Sequence, residues 1–439
     1  MSTVSGYPYF EIEFSKDGSI VTADQIAQVK NFLSGQAGLG TTDVLVFSHG
    51  WNNDEAEARD LYQRFLSVLA SEAAKHSKKY NCAFIGLLWP SKKFADASLI
   101  PGGAAGINDG NVDSALKLQH QRLIDTLEPD AAGKVKDAAN LIAQLNSVEG
   151  RKAWITCLRA AIHGPTETED GGKTFFSIGP EELFERLRAP TLPPPTPGPR
   201  GGGTGLNTVG AASAVPTQGE AAGFGVMLSG IKGAALRILN YTTYYIMKNR
   251  AGVVGQLGLK RALQEIQSSN SPEIRYHLLG HSFGARVVTT ATSGASRINV
   301  HSLTLLQGAY SHYGMATNYD GKGSDGLFRD IVAEQRIVGP ILISHSVHDL
   351  PVGIAYAIVS RFAGQIGAGL GGPNDPFGGL GRNGAQKTDN SQFLKLTPSG
   401  TNYSFKPHVA NNLNGDAVIG GHSDICKPEI ANAFLVALP

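Results

Sequence analysis

The stretch YHLLGHSFGARVV, Tyr276 to Val288, holds a serine between two glycines where an apolar run gives way to a helical pattern. A serine hydroxyl is a weak nucleophile near neutral pH. It needs a neighbouring base, and the base needs an acid to orient it. Gly280-His281-Ser282-Phe283-Gly284 matches G-x-S-x-G, in which the chain turns sharply from strand to helix and aims the serine outward. The motif is weak alone, but here a strand pattern precedes it and a helix pattern follows. Gly280 and Gly284 have a steric task, because strand and helix backbones crowd the positions two before and two after the serine. The turn also sets the N–H of Phe283 at a helix start, where an oxyanion can be held.

In such an arrangement the acid and then the base follow the serine along the chain. The histidines after Ser282 are His301, His312, His345, His348, His408 and His422. PILISHSVHD is an apolar run ending in a loop with Asp349, which makes Asp349 the first choice of acid; Asp325 and Asp330 remain as alternatives. His348 adjoins Asp349 and would point away from it, and His345 reads as still within the strand. His422 follows DAVIGG, read as a last strand, and precedes the helical KPEIANAFLVAL, so it is the candidate base with His408 in reserve. Asp424 reads as a cap for that final helix.

Acyl transfer needs a second oxyanion donor from a loop after an early strand. DVLVFSHGWNNDEAEARD supplies an apolar strand, His49-Gly50-Trp51, and a helix beginning near Asn53 or Asp54. Gly50 lets backbone approach substrate, and the Trp51 N–H is the candidate donor with that of Asn52 as runner-up. His49 lies before a turn glycine, which favours structural hydrogen bonding. The Trp51 ring could pack in the core or line an acyl pocket.

These residues need a scaffold. FEIEF, DVLVFSHG, CAFIGLLWP, YHLLGHS, SLTLLQG and PILISHS are short, nearly continuous apolar runs, as expected of strands buried on both faces of a parallel sheet. Helical patterns such as AEARDLYQRFLSVLASEAAK and GARVVTTATSGA lie between them, so the class is α/β. Between Pro90 and Arg275 the alternation breaks. We read residues 1–92 and 241–439 as two parts of one core and 93–240 as a largely helical cap insertion. That insertion contains a Pro/Gly-rich flexible loop, 189–223. Two independent domains joined by that loop are the alternative. The Gly-rich stretch Ala363 to Gly384 reads as a long mobile loop.

A net charge of +1 favours no nucleic-acid partner. Cys82, Cys157 and Cys426 are scattered and odd in number, against a disulfide framework or a zinc site; no metal or organic cofactor is expected. The N-terminal residues show neither a basic nor an apolar signal region, so a cytoplasmic location is expected. No apolar run approaches a membrane span; VMLSGIKGAALRILNYTTYYIM carries Lys232 and Arg237 and reads as a packed helix. Oligomeric state stays open.

On the residues quoted, the chain resembles the α/β-hydrolase superfamily. More narrowly, it resembles a bacterial branch with HG(F/W)N after the third strand, WPS after the fourth and a GHSFGAR elbow. Here these are His49 to Asn52, Trp89 to Ser91 and Gly280 to Arg286, with a terminal GHSDI at Gly421 to Ile425. The resemblance covers about Val44 to Ser91 and Tyr244 to the C-terminus. It implies an α/β-hydrolase fold with an eight-strand, mostly parallel sheet flanked by helices. It carries nucleophile, acid and base onto Ser282, Asp349 and His422, with no cofactor. The expected function is a serine hydrolase cleaving carboxylic esters through an acyl-enzyme. It would be esterase or lipase-like, with a small-molecule or lipid-like ester as substrate and a cap favouring apolar acyl chains. A peptidase or amidase with the same triad is one alternative. A non-catalytic hydrolase-like binding protein, its PPPTPGPR run docking as polyproline II, is the other.

Overall fold

A computed structural model describes residues 2–91, 109–162, 171–189, 230–271, 273–365 and 370–439. Nine strands form one sheet: β1 (Ser2–Val4), β2 (Tyr7–Glu13), β3 (Asp43–Ser48), β4 (Cys82–Leu88), β5 (Arg275–His281), β6 (Ser302–Leu306), β7 (Ile341–His345), β8 (Gln392–Lys395) and β9 (Ala410–Asn414). Their order is β1-β2-β4-β3-β5-β6-β7-β9-β8. Only the β1–β2 pair is antiparallel. The protein is therefore α/β, with a mostly parallel sheet flanked by helices.

The strands are apolar throughout because both faces are covered. Alternate residues still part to opposite sides. Leu45, Phe47, Phe84, Leu279 and Leu342 pack beneath the helices Glu55–Ala73 and Pro428–Ala437. Val44, Val46, Ile85, Leu278, Leu305 and Ile343 meet the helices Asp24–Ser34, Lys260–Ser268, Phe283–Thr292 and Leu350–Phe362. The helix Gly230–Val253 continues through a π-helical turn, Val254–Leu259, into Lys260–Ser268. Its first part packs in the same core as the helices Asp109–Ile124, Pro129–Asn140 and Val148–Ala160 of the expected insertion. Among the described residues no helix is long and apolar enough to cross a membrane.

Three expectations change. Among the described residues the sheet has nine strands rather than eight. DAVIGG is a turn, and the strand lies just before it at Ala410–Asn414. ANNLN looks like loop because Asn411 and Asn412 are polar, yet both are buried and spend their amides on neighbouring main chain, at Lys406, Val409 and Ala385. Within the Gly-rich 363–384, Leu370, Leu380, Gly381, Arg382 and Asn383 are buried, while Pro373, Asn374 and Pro376 are exposed. The expected loop 189–223, with its PPPTPGPR run, lies outside the described residues except for residue 189.

Candidate active site

The strand order reverses between β3 and β5. The chain leaves β3 through the helix Glu55–Ala73 to β4 on one side. It leaves β5 through the helix Phe283–Thr292 to β6 on the other. The two helices lie on opposite faces, which makes this the switch point of the sheet; in open α/β sheets ligands bind in the crevice expected beyond the carboxyl ends of such strands. His49-Gly50-Trp51 follows β3, and Ser282 follows β5.

Ser282 has φ +56° and ψ −123°, a conformation that costs a residue with a Cβ about 1–3 kcal/mol. The surroundings impose it. Its N–H donates to Leu306 O (3.0 Å), and its carbonyl accepts from Ala285 (3.1 Å) and Ala309 (3.1 Å). A Cβ on Gly280 would lie 2.3 Å from Gly284 O, and one on Gly284 would lie 2.1 Å from Ser48 O. Both positions thus exclude any other residue. Gly50 is equally constrained, for its Cβ would sit 2.6 Å from that of Ser282. The loop after β3 and the serine turn are in van der Waals contact only because residue 50 lacks a side chain.

Two N–H groups at this contact have no hydrogen-bond partner among the described residues: that of Trp51, and that of Phe283 in the first turn of its helix. The Asn52 N–H is already donated to Ser91 O (3.1 Å), which removes the runner-up donor. The Trp51 and Tyr244 rings flank Phe283, at 5.9 Å and 5.0 Å between centroids. Trp51 is half-buried beside the elbow rather than sunk in the core.

His49 is wholly buried and has a structural place. Trp89 N–H donates to its Nε2 (3.3 Å), so the proton is on Nδ1, which donates to Gly50 O (3.0 Å). Its ring stacks on Trp89, and burial pulls its pKa down to about 4. The Tyr62 hydroxyl, unremarked in the sequence, accepts the His49 main-chain N–H (3.0 Å) and donates to Leu87 O, tying the ends of β3 and β4 together. His49 also lines a cavity of about 420 Å³ with Glu13, Lys16, Asn53, Trp89 and Ser91.

Asp349 is fully buried and caps the helix Leu350–Phe362, accepting from Val352 N–H (3.2 Å). Its two oxygens both lie 3.0 Å from His422 Nδ1. A carboxylate only accepts, so Nδ1 carries the proton and Nε2 is left as the basic nitrogen. His422, its side chain 13% exposed, lies over the elbow. His281 Nε2 is 3.0 Å from His422 O, and the two rings are 5.0 Å apart. Burial, then the neighbouring His422, lowers the His281 pKa to about 3, so His281 is a neutral donor. Among the described residues no hydrogen bond joins Ser282 Oγ to the His422 ring, whose link to the elbow is through His281; such bonds commonly close only around substrate.

The remaining candidates lie elsewhere. Asp325 accepts from Asn318 N–H in an exposed loop, and Asp330 accepts from Ser293 and Gly294 and pairs with Arg336. His408 approaches Ile337 O ahead of β7, at the opposite end of the sheet. Asp424 does not cap the final helix: the N-cap is Lys427, and Asp424 accepts from Gly420 N–H (2.9 Å), closing the loop that carries His422. Among the described residues no group of side chains could hold a metal ion.

No protein-family model, curated protein or solved structure matches this chain. A functional reading therefore rests on the geometry at the switch point.

Proposed function

We propose that the chain is a serine hydrolase of carboxylic esters on an α/β-hydrolase fold. One observation carries the reading: Ser282 is held in a strained bend between glycines that admit no Cβ, next in the chain to His281, whose ring lies 5.0 Å from an imidazole oriented by a buried carboxylate. Ser282 Oγ gives its proton to His422 Nε2 and bonds to the ester carbonyl carbon. The N–H groups of Trp51 and Phe283 donate to the oxyanion, and Asp349 stabilises the imidazolium. The tetrahedral intermediate collapses as His422 protonates the leaving alkoxide. Water then loses a proton to His422, attacks the acyl-enzyme and releases the acid and free Ser282. The half-buried Trp51 ring, packed on Phe283 next to Ser282, supports apolar acyl groups.

A fluorophosphonate probe tests this. Labelling of the folded protein, lost in Ser282→Ala, is the expected result, with turnover across a p-nitrophenyl ester series of increasing acyl length. Folded protein that neither labels nor hydrolyses any ester or anilide overturns the reading. Anilides cleaved in preference to esters would move it to an amidase.

A further inference from the structure

β6 reads as an ordinary buried strand, SLTLL, yet the residue that ends it is unusual. Gln307 is fully buried with φ +48°, a left-handed conformation that a long side chain adopts only when its surroundings over-determine it. Every polar atom of its carboxamide is engaged. Oε1 accepts from Ser344 Oγ (3.0 Å), while Nε2 donates to Gly381 O (3.0 Å) and to Asp349 Oδ2 (3.3 Å). The partners fix the amide orientation, because a carboxylate and a carbonyl can only accept. Its main-chain N–H meets Ser344 Oγ as well (3.2 Å).

The same turn grips the nucleophile. Leu306 O takes the Ser282 N–H, and the Ala309 N–H takes the Ser282 carbonyl, on either side of Gln307. Gly381 presses the arrangement shut, since a Cβ there would come within 2.6 Å of Asp349 Oδ2 and 2.8 Å of Gln307 Cα. We infer that Gln307 is a positioning residue whose amide aims the Asp349 carboxylate at His422 while its turn sets the main chain of Ser282. The inference rests on the reading of Ser282, His422 and Asp349 as nucleophile, base and acid. It adds a part that none of these supplies, a rigid link between the acid and the nucleophile through β6.

Gln307→Glu keeps the shape and separates the donor from mere packing. When protonated, the new carboxyl donates to Asp349 as the amide does. When ionised, it repels Asp349 and must share a proton with it. Activity relative to the native protein should therefore fall as pH rises. Gln307→Met, which donates at no pH, should lose about tenfold in kcat at every pH with KM unchanged, because Gln307 does not touch substrate. An activity-independent signal is the downfield proton resonance of His422 Nδ1–H, assigned by its loss in His422→Ala; it should shift or broaden in both variants. A resonance that stays put in both overturns the inference whatever the activities show. A native protein that hydrolyses nothing while the resonance responds sinks the hydrolase reading and leaves the positioning role standing.

Discussion

Serine, histidine and aspartate come together twice on this sheet, once at each end, with β5 reaching both. At the amino ends of β3, β5 and β6, Ser302 Oγ lies 2.7 Å from His277 Nδ1, and His277 Nε2 lies 2.9 Å from Asp43 Oδ1. At the carboxyl ends His422 is hydrogen-bonded to Asp349, and among the described residues Ser282 is joined to neither; its chain neighbour His281 packs on His422. On hydrogen bonds alone the amino-end set is the more complete. Its surroundings are nonetheless those of a structural network. Ser302 and His277 are fully buried on regular strands, and Asp43 is saturated by Arg275, Thr42 and His277. Ser282 sits on a bend that costs energy, at the switch point of the sheet, beside two N–H groups with no described partner. Four residues of β5 lie between His277 and Ser282, five steps of strand or about 17 Å. The difference teaches that residue types and hydrogen bonds alone do not mark a candidate site; backbone strain and unspent donors set the carboxyl end apart.

The sharpest way to break the comparison is to remove each serine. Ser282→Ala should lower ester hydrolysis on the order of 10⁴-fold or more, since a nucleophile has no substitute. Ser302→Ala should leave kcat/KM within about twofold, at a stability cost of about 1–2 kcal/mol for the donor lost to buried His277. Comparable losses of activity in both variants, measured on folded protein, would show that the amino-end set takes part in the reaction.

The carboxyl end was the more legible of the two. GHSFG, HGW and Asp349 stand out because each combines a reactive type with a strand exit, and strand exits are readable from apolar runs; His422 stands out by its order after them and by the helical run that follows it. Gln307 gave no such signal: a glutamine closing SLTLLQG looks like the polar end of any strand, and its strained φ is set by contacts with Ser344, Gly381 and Asp349 from distant parts of the chain. The strand before His422 was misplaced for a related reason. Asn411 and Asn412 occupy core positions that only tertiary hydrogen bonds make tolerable. Asp43, His277 and Ser302 were invisible as a set, being 25 and 234 residues apart.

The amino-end network should declare itself in stability. Asp43 is buried among Arg275, Thr42 and His277, and these hydrogen bonds hold its carboxyl far below the ordinary range despite burial. Asp43→Ala leaves the guanidinium and imidazole without their acceptor and should cost about 3–5 kcal/mol in urea unfolding. The kcat of the remaining folded protein should be unchanged. A loss under about 1 kcal/mol would mean the network is ornamental; a changed kcat would mean the ends of the sheet are coupled.

At the carboxyl end the corresponding intervention is steric. Gly50→Ala places a methyl 2.6 Å from Ser282 Cβ, and one of the two loops must move. A displacement near 1 Å at a reacting group costs about 10²-fold in rate, and overpacking about 1–3 kcal/mol in stability. The expected pattern is thus a large fall in kcat/KM with a moderate fall in Tm. Native rates in this variant would show that the Trp51 loop does not touch the reacting centre.

The smallest effect concerns protons. Burial lowers the pKa of His277 against the pull of Asp43, with Arg275 and Lys78 adding to the lowering; Ser302, the His301 ring at 5.3 Å and Phe434 complete its surroundings. Its folded pKa therefore lies below the value of about 6.5 in the unfolded chain. Between the two the unfolded state binds more protons. The stability contributed is fully present above about pH 6.5 and is lost as the pH falls through that window. His49 and His281, lowered by burial to about 4 and about 3, act in the same direction at the other end. Native Tm should accordingly decline on acidification below about pH 6.5. In His277→Gln, which can still bond Asp43 and Ser302, the decline should be shallower by up to one proton's worth, about 1.4 kcal/mol per pH unit. On the proposed mechanism, in which His277 takes no part, the pH profile of hydrolysis should not move. An unaltered stability slope would mean His277 is not held neutral; a shifted rate profile would mean the two sets exchange charge along β5 and are not independent after all.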